Sequence, residues 1–329
     1  MRVTVLGAGY MGSAMAKVAA SRGHDVTLWG TWLDDAMLDP VARGGVHPKL
    51  GLPLSELRVL RADALAEALE GAELVVHGVS SEGAVPVMTK ARAHLPDVPI
   101  VSVTKGFLEL TGTKKMDRVD VAVAEAVGRP VRWVHASGPA KAKEIARGVL
   151  TWMCFAGADA EVCRGALGGD HVFVSTTDDL AGAMICSAMK NAYATGLGIW
   201  DGLLGADCHN ARAACFQQSI VEMERLVALG GGRRETAFGP AGVGDLHVTA
   251  AAGRNRAFGE GVGKGKPAKQ VAAEMAAAGE LTEGYPAIAT ARRWADERGA
   301  GALPLLDALH AIVWGGAEPR ATLAALRLG

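Results

Sequence analysis

The chain has no surplus of charge of either sign: 34 Lys and Arg stand against 35 Asp and Glu in 329 residues, a formal net charge of -1. Nothing in that balance favours nucleic acid or an anionic membrane as a partner, so any preference for anions has to be local. The cysteines do not suit a disulfide framework. The five lie at 154, 163, 186, 208 and 215, an odd number without CxxC spacing, several of them in apolar segments where they read as small core residues. Among the nine histidines there is no H-E-x-x-H or comparable ligand spacing, so no metal site is expected, and His24, His94 and His310 read as surface or helix-edge residues. No uncharged apolar run approaches the roughly 18 residues of a membrane helix. Strand-like residues begin at position 2, where a secretory signal would otherwise lie. A soluble, cytoplasmic protein is expected.

What the chain has is length and order. At 329 residues it exceeds the size that one hydrophobic core usually serves, and two domains are the natural expectation. It opens "RVTVLGAGYMGSAMAKVAASRGHDVTLWG": a β-branched run at Val3 to Leu6, a glycine turn, an amphipathic stretch from Tyr10 to Ser21 capped by Gly23, and a second strand at Val26 to Trp29. Gly7, Gly9 and Gly12 form G-x-G-x-x-G between the first strand and the helix. In that context the first glycine permits the tight turn, the second lets a pyrophosphate approach the backbone, and the third allows close packing of helix on strand. Strand-like segments recur near Arg58 to Leu60, Leu74 to His77, Ile100 to Val103, Val131 to Ala136 and Leu150 to Phe155, separated by helical patterns such as Asp63 to Leu69 and Asp120 to Val127. The alternation predicts an α/β fold with a Rossmann-type, doubly wound parallel sheet.

In such a sheet ligands lie outside the carboxyl ends of the strands. Two stretches fall there: "VSVTKG", with Lys105, and "VHASGPAKAKE", with Gly138, Pro139 and Ala140. Lys105 is a ligand candidate or a solvated loop lysine; Lys141 and Lys143 read as solvated. The tip of the second strand, Trp29-Gly30-Thr31-Trp32, offers neither the acid expected for NAD nor the arginine expected for NADP. Asp34 and Asp35 come a little late and could be solvated loop residues. NAD and NADP both remain candidate cofactors.

After Asp178 the strand signal stops and the chain becomes alanine-rich, helix-patterned and punctuated by glycine. Residues 1–178 are therefore expected to form the dinucleotide-binding domain and residues 179–329 an all-helical domain. On its first long helix, "SAMKNAYATG" sets Lys190 among small and apolar residues. Burying an ammonium without a partner costs several kcal/mol, so the lysine either snorkels to a helix edge or has a partner and a task. The densest polar cluster follows at "AFGPAGVGDLHVTAAAGRNRAFGEG". Asp245 there could cap a helix starting at Leu246. Arg254 with Asn255 offers a donor fork and an amide suited to a phosphate or carboxylate. The "GKGK" at 263 to 266 reads as an exposed turn.

Taken in order, "GAGYMG", "TKG" at 104 to 106, "GPAKAKE" at 138 to 144, "AMKNAYATG" at 188 to 196, "GVGDLHVT" at 242 to 249, "GRN" at 253 to 255 and "TEGY" at 282 to 285 resemble the NAD(P)-dependent glycerol-3-phosphate dehydrogenases over nearly the whole chain. "HPKLG" and "RETAFG" are most like the archaeal branch of that family. The resemblance implies a Rossmann domain followed by a helical substrate domain, usually in a homodimer, acting on a small phosphorylated substrate. It implies Lys190 as the catalytic lysine exchanging a proton with the substrate oxygen at C2, and Asp245 as its charged partner. Lys105, Gly138, Ala140, Asp245, Thr249, Arg254 and Asn255 would contact substrate. Gly7, Gly9, Tyr10, Met11, Gly12, Thr31, Lys105, Ala142, Arg254 and Glu283 would contact the cofactor.

The chemistry is coherent, since reduction of a ketone needs a hydride from the nicotinamide and a proton at the developing alkoxide. Desolvation favours the neutral amine of Lys190 and a nearby carboxylate favours the charged one, and both forms are needed in a reversible reaction. The chain departs from the usual family pattern at Ala140, Gln218, His247 and Gly253. The expected activity is interconversion of dihydroxyacetone phosphate and sn-glycerol 3-phosphate. Its rivals are the same chemistry on another phosphorylated or anionic 2-hydroxy compound, and a dinucleotide sensor without catalysis.

Overall fold

β-Branched runs form the strands of a central sheet in the computed structural model of the chain, which describes residues 1–205, 207–251 and 253–326. In chain order the elements begin β1 (Arg2–Leu6), α1 (Tyr10–Ser21), β2 (Asp25–Trp29), α2 (Asp35–Ala42), β3 (Val46–His47), β4 (Leu52–Pro53), β5 (Arg58–Leu60), α3 (Leu65–Leu69), β6 (Leu74–His77), α4 (Ser81–Ala91) and β7 (Ile100–Ser102). They continue with β8 (Phe107–Glu109), β9 (Met116–Arg118), α5 (Val119–Val127), β10 (Trp133–Ser137), α6 (Ala142–Ala146), β11 (Thr151–Ala156), α7 (Ala160–Leu167) and β12 (Val172–Thr177). From there the chain is helical: α8 (Leu180–Leu204), α9 (His209–Leu229), α10 (Asp245–Ala251), α11 (Arg254–Gly263), α12 (Ala268–Ala277), α13 (Gly284–Asp296), α14 (Pro304–Val313) and α15 (Pro319–Ala324). These elements gather into two compact units, one of Met1–Lys105, Leu110–Gly112 and Val119–Leu180, the other of Gly106–Glu109, Thr113–Arg118 and Ala181–Gly329.

The first unit is built on an eight-stranded sheet in the order β12-β11-β10-β7-β6-β1-β2-β5. Its centre is largely apolar, with Val3, Val5, Val76, Val101 and Val134 buried as expected for strands covered on both faces, and it also buries Thr4, His77, Ser102 and His135. The strand order reverses at β1, which lies between β2 and β6, so the crevice that binds ligands in such sheets opens beyond the carboxyl ends of β1 and β6.

The sheet departs from all-parallel at one seam. β11 runs antiparallel to β10, and β12 then runs parallel to β11. The connection from β10 to β11 carries only the short α6 and brings the chain back directly beside β10. β12, too, is a strand that the residue pattern did not single out.

Among the described residues the second unit is helical apart from one hairpin. β8 and β9, which come early in the chain, are held to α13: Phe107 stacks on Trp294 with ring centroids 4.6 Å apart, and Arg293 donates to Glu109 at 2.7 Å. α8 and α11 lie backbone to backbone. A Cβ on Gly198 would fall 2.1 Å from the Arg256 carbonyl oxygen, and one on Gly259 would fall 2.1 Å from that of Thr195. Such an approach is open only to glycine. It sets the start of α11, at Arg254 and Asn255, against the Asn191 stretch of α8.

Candidate active site

In the first unit the glycine motif behaves as its spacing predicts. Gly7 has φ +105°, and a Cβ there would sit 2.8 Å from Val79 Cγ1; one on Gly12 would sit 2.2 Å from the Gly7 carbonyl oxygen. Both glycines are required by close packing, together with Gly78 after β6, whose Cβ would fall 2.6 Å from the Gly12 Cα. Gly78 was not singled out in the sequence. Gly9 is different: a Cβ there would meet only the Gly78 carbonyl oxygen, at 3.9 Å, so open space lies over the second glycine. α1 starts immediately afterwards with no acidic residue in its first turn, and the Lys49 and Lys143 ammonium groups lie 5.3 and 5.8 Å from the Tyr10 ring centroid. Open backbone amides at a helix amino-terminus with cations nearby fit the pyrophosphate of a dinucleotide. Tyr10, Met11, Ala140 and Ala142 pack half-buried against the core beneath.

Asp34 is not a solvated loop residue. A turn in which the Asp34 N–H donates to the Thr31 carbonyl at 3.0 Å brings its carboxylate back to the tip of β2. There Oδ2 accepts from the Thr31 N–H at 2.8 Å, the Thr31 hydroxyl at 2.9 Å and the Ala8 N–H at 3.3 Å. An acid five residues past the strand thus reaches the glycine loop.

Lys105 follows β7 on a segment fixed by its neighbour. The Thr104 N–H donates to Ser102 Oγ at 3.1 Å and its hydroxyl donates to the Val79 carbonyl at 2.7 Å. Because that hydroxyl proton is committed, His77 Nδ1, 2.9 Å away, must be the donor in the contact with Thr104. The ring is buried, and burial pushes its pKa down to about 3, which keeps it neutral. Gly138, at the end of β10, has φ +104°. A Cβ there would fall 3.0 Å from the Trp152 carbonyl oxygen.

In the second unit Lys190 does not snorkel. It is 7 % exposed in the middle of α8, and its ammonium pairs with the wholly buried carboxylate of Asp245. Asp245 is not an N-cap either. Pro240–Gly244 form a π-helical turn that runs straight into α10, and Asp245 has helical φ and ψ of -70° and -35°, which frees its side chain to point at α8. The turn needs Gly242, since a Cβ there would lie 1.9 Å from the Ala237 carbonyl oxygen. Thr249 lies one turn further along α10, on the Asp245 face.

Next to Lys190, Asn191 links the other candidates. Its amide donates to Glu283 Oε2 at 3.1 Å, and its Oδ1 accepts from Asn255 Nδ2 at 2.9 Å. Asn255 Oδ1 in turn accepts from the Gly284 N–H at 2.8 Å. Arg254, at the exposed start of α11, lies 3.7 Å from Glu283 Oε1. Lys190, Asp245, Arg254, Asn255 and Glu283 therefore gather within one unit, with Asn191 as a junction that sequence reasoning passed over.

Two of the departures lie outside this group. Gln218 is buried and donates to Glu222 Oε1 at 3.1 Å; His247 is exposed and meets Phe216 edge-on at 6.2 Å. Glu222 is itself a tie between helices. It accepts from the Leu305 and Leu306 N–H groups at the start of α14, at 2.6 and 3.0 Å, and from the Tyr193 hydroxyl of α8 at 3.0 Å. Burial holds its pKa above the ordinary carboxylate value. Gly253 is extended, φ 174°, and caps α11 without strain. All five cysteines are buried free thiols, and burial drives Cys163 and Cys215 up to about 12, so these thiols stay protonated. Among the described residues no group of three or more His, Cys, Asp or Glu is placed to hold a metal ion, and no helix is long and apolar enough to cross a membrane.

Residues 2–163 match the family pattern described as NAD-dependent glycerol-3-phosphate dehydrogenase N-terminus, and residues 179–324 match the corresponding C-terminus. The NADP(+)-dependent glycerol-3-phosphate dehydrogenase of Archaeoglobus fulgidus is 33% identical, with 96% of each chain covered. The glycerol-3-phosphate dehydrogenase [NAD(P)+] of Anaeromyxobacter dehalogenans is 36% identical, over 100% of this chain and 98% of that one. Among solved structures, glycerol-3-phosphate dehydrogenase from Coxiella burnetii superposes with a TM-score of 0.86 at 29% identity, over 98% of this chain and 97% of the other. With both halves matched and relatives above 30% identity covering nearly its full length, the chain belongs to the NAD-dependent glycerol-3-phosphate dehydrogenase family.

Proposed function

We propose that this protein is an NAD(P)-dependent oxidoreductase that interconverts dihydroxyacetone phosphate and sn-glycerol 3-phosphate, with residues 1–178 as the dinucleotide-binding domain and 179–329 as the substrate and catalytic domain. The observation that carries the proposal is the buried Lys190–Asp245 ion pair in a chain of this family. When bound, the reduced nicotinamide supplies a hydride to the C2 carbonyl carbon of the substrate. Lys190 gives its ammonium proton to the C2 oxygen as the carbonyl π electrons move onto it, and in the oxidative direction the neutral amine takes that proton back. Asp245 holds the lysine in place and balances its charge between turnovers.

Arg254, with its planar fork, holds the substrate phosphate, and Asn255 and Thr249 line the same region; Arg254 and Glu283 also reach the cofactor. Asn255 has both ends of its amide engaged, which supports a role in fixing the site as much as in touching the phosphate. Lys105, Gly138 and Ala140 contribute from the ends of β7 and β10. Gly7, Gly9, Tyr10, Met11, Gly12, Thr31 and Ala142 form the dinucleotide site. The proposal extends to a cytoplasmic homodimer, which light scattering of the purified protein would test.

The deciding experiment mixes purified protein with NADH or NADPH and follows reduced-nicotinamide absorbance on addition of dihydroxyacetone phosphate. Loss of absorbance with at least one cofactor is expected. No loss with either, in a protein that still binds dinucleotide, would overturn the substrate assignment.

A further inference from the structure

Nothing so far gives a task to His47, a wholly buried histidine on the small β3–β4 hairpin, or explains why Asp34 reaches back to the glycine loop. Both side chains act on one residue. Asp34 Oδ2 accepts from the Ala8 N–H at 3.3 Å, and His47 Nε2 lies 2.9 Å from the Ala8 carbonyl oxygen. The Leu50 N–H donates to His47 Nδ1 at 3.2 Å, so Nδ1 is the acceptor nitrogen and Nε2 carries the proton given to Ala8. The same Nε2 lies 3.1 Å from Ser13 Oγ in the first turn of α1, while the Ser13 N–H donates to the Gly9 carbonyl at 3.1 Å. The hairpin therefore grips the loop and the helix start together, and its own turn is closed by the Gly51 N–H donating to the His47 carbonyl at 2.8 Å.

The peptide plane makes this consequential. In a trans peptide the C=O of Ala8 and the N–H of Gly9 point in opposite directions. Drawing the Ala8 carbonyl onto His47 turns the Gly9 N–H away from the hairpin. That amide has no protein partner among the described residues, and the second glycine faces open space. Flipping the plane would replace a donor by a carbonyl oxygen, which repels an anion.

We propose that His47 and Asp34 are positioning residues for the dinucleotide: they clamp the Ala8 residue from its two ends, so that the Gly9 N–H is presented to the pyrophosphate before the cofactor arrives. The proposal rests on the dinucleotide reading of the glycine loop, but not on which substrate is reduced.

The test is direct binding of NADH and NADPH, followed by nucleotide fluorescence with no substrate present, alongside thermal unfolding. His47→Ala and Asp34→Ala are each expected to raise the dissociation constant about three- to tenfold, the effect of losing one hydrogen bond. Gln at 47 retains a donor and Asn at 34 retains an acceptor, so His47→Gln and Asp34→Asn should recover most of the affinity. In turnover assays the loss should fall on the KM for cofactor more than on kcat. If His47→Ala proves too unstable, Asp34→Ala at the half-exposed end of the clamp decides the matter. A lowered thermal midpoint with an unmoved dissociation constant would reduce both residues to packing and overturn the proposal. If the unaltered protein binds neither nucleotide, the dinucleotide reading itself fails, a separate and recognisable result.

Discussion

Lys190 and Asp245 can be separated into a structural pair and a chemical group by a double-mutant cycle. The lysine side chain is 9% exposed and the aspartate side chain 0%, so Lys190→Met leaves a buried carboxylate without its cation. Removing one member of a buried pair typically costs about 3–5 kcal/mol, whereas neutralising both often costs much less. Lys190→Met should therefore lose stability of about that size in urea unfolding, and Lys190→Met with Asp245→Asn should regain most of it. Turnover should not follow. Loss of the general acid predicts a fall in kcat of about 10²- to 10⁴-fold in the single variant, and the stable double variant should stay as slow. A double variant that recovered its rate along with its stability would show that Lys190 matters only for folding. A single variant within about tenfold of the unaltered rate would remove it from proton transfer altogether.

The two inner glycines should separate packing from binding: Gly12→Ala places a Cβ 2.2 Å from a carbonyl oxygen and should lower the thermal midpoint, by about 1–3 kcal/mol of stability, whereas Gly9→Ala, with 3.9 Å to its nearest neighbour, should fold normally and lose dinucleotide affinity. Equal midpoints for the two variants would contradict this. Arg254→Ala should raise the KM for dihydroxyacetone phosphate about 10- to 100-fold with a smaller change in kcat, as for a lost charge-assisted hydrogen bond; an unchanged KM in steady-state assays would take Arg254 off the phosphate. His77 gives an acid slope. Its folded pKa is about 3 against an ordinary 6.5, so the unfolded chain binds the extra proton between those values, and the stability from the neutral ring is complete above pH 6.5 and lost as pH falls toward 3. Between about pH 8 and about pH 5 the loss attributable to His77 is about 2 kcal/mol, and urea titrations of His77→Asn at both pH values should show a slope shallower by that amount; parallel slopes would refute it.

The amino-acid order alone determined whatever depends on backbone conformation and local period. G-x-G-x-x-G between an apolar strand and an amphipathic helix predicted a dinucleotide-type turn from local pattern alone, and Gly7 takes it at φ +105°. The β-branched runs predicted most of the sheet, and the alanine-rich second half predicted helices. The setting of Lys190 among small apolar residues left two outcomes, a stem snorkelling to a helix edge or a buried ammonium with a partner. Other features depend on residues far apart in the chain, and only the tertiary structure decided them. Asp245, 55 positions away, was a cap candidate by its local sequence and the partner of Lys190 by family resemblance, and the π-helical turn that carries the chain into α10 without a break decides for the partner. The direction of β11, antiparallel to β10, is a matter of pairing across the sheet that the hydrophobic period of a strand does not report. Asp34, for which a solvated loop position was one of the open alternatives, returns to the glycine loop through a turn, and His47 reaches the same loop from 39 positions away. Asn191 joins Asn255 and Glu283 across 64 and 92 positions. A hydrogen bond leaves no mark on the period or propensity of the chain that makes it, so the residues proposed to carry the chemistry were candidates in the sequence, while contacts such as those of Asn191 and His47 appeared only once the helices and strands were packed.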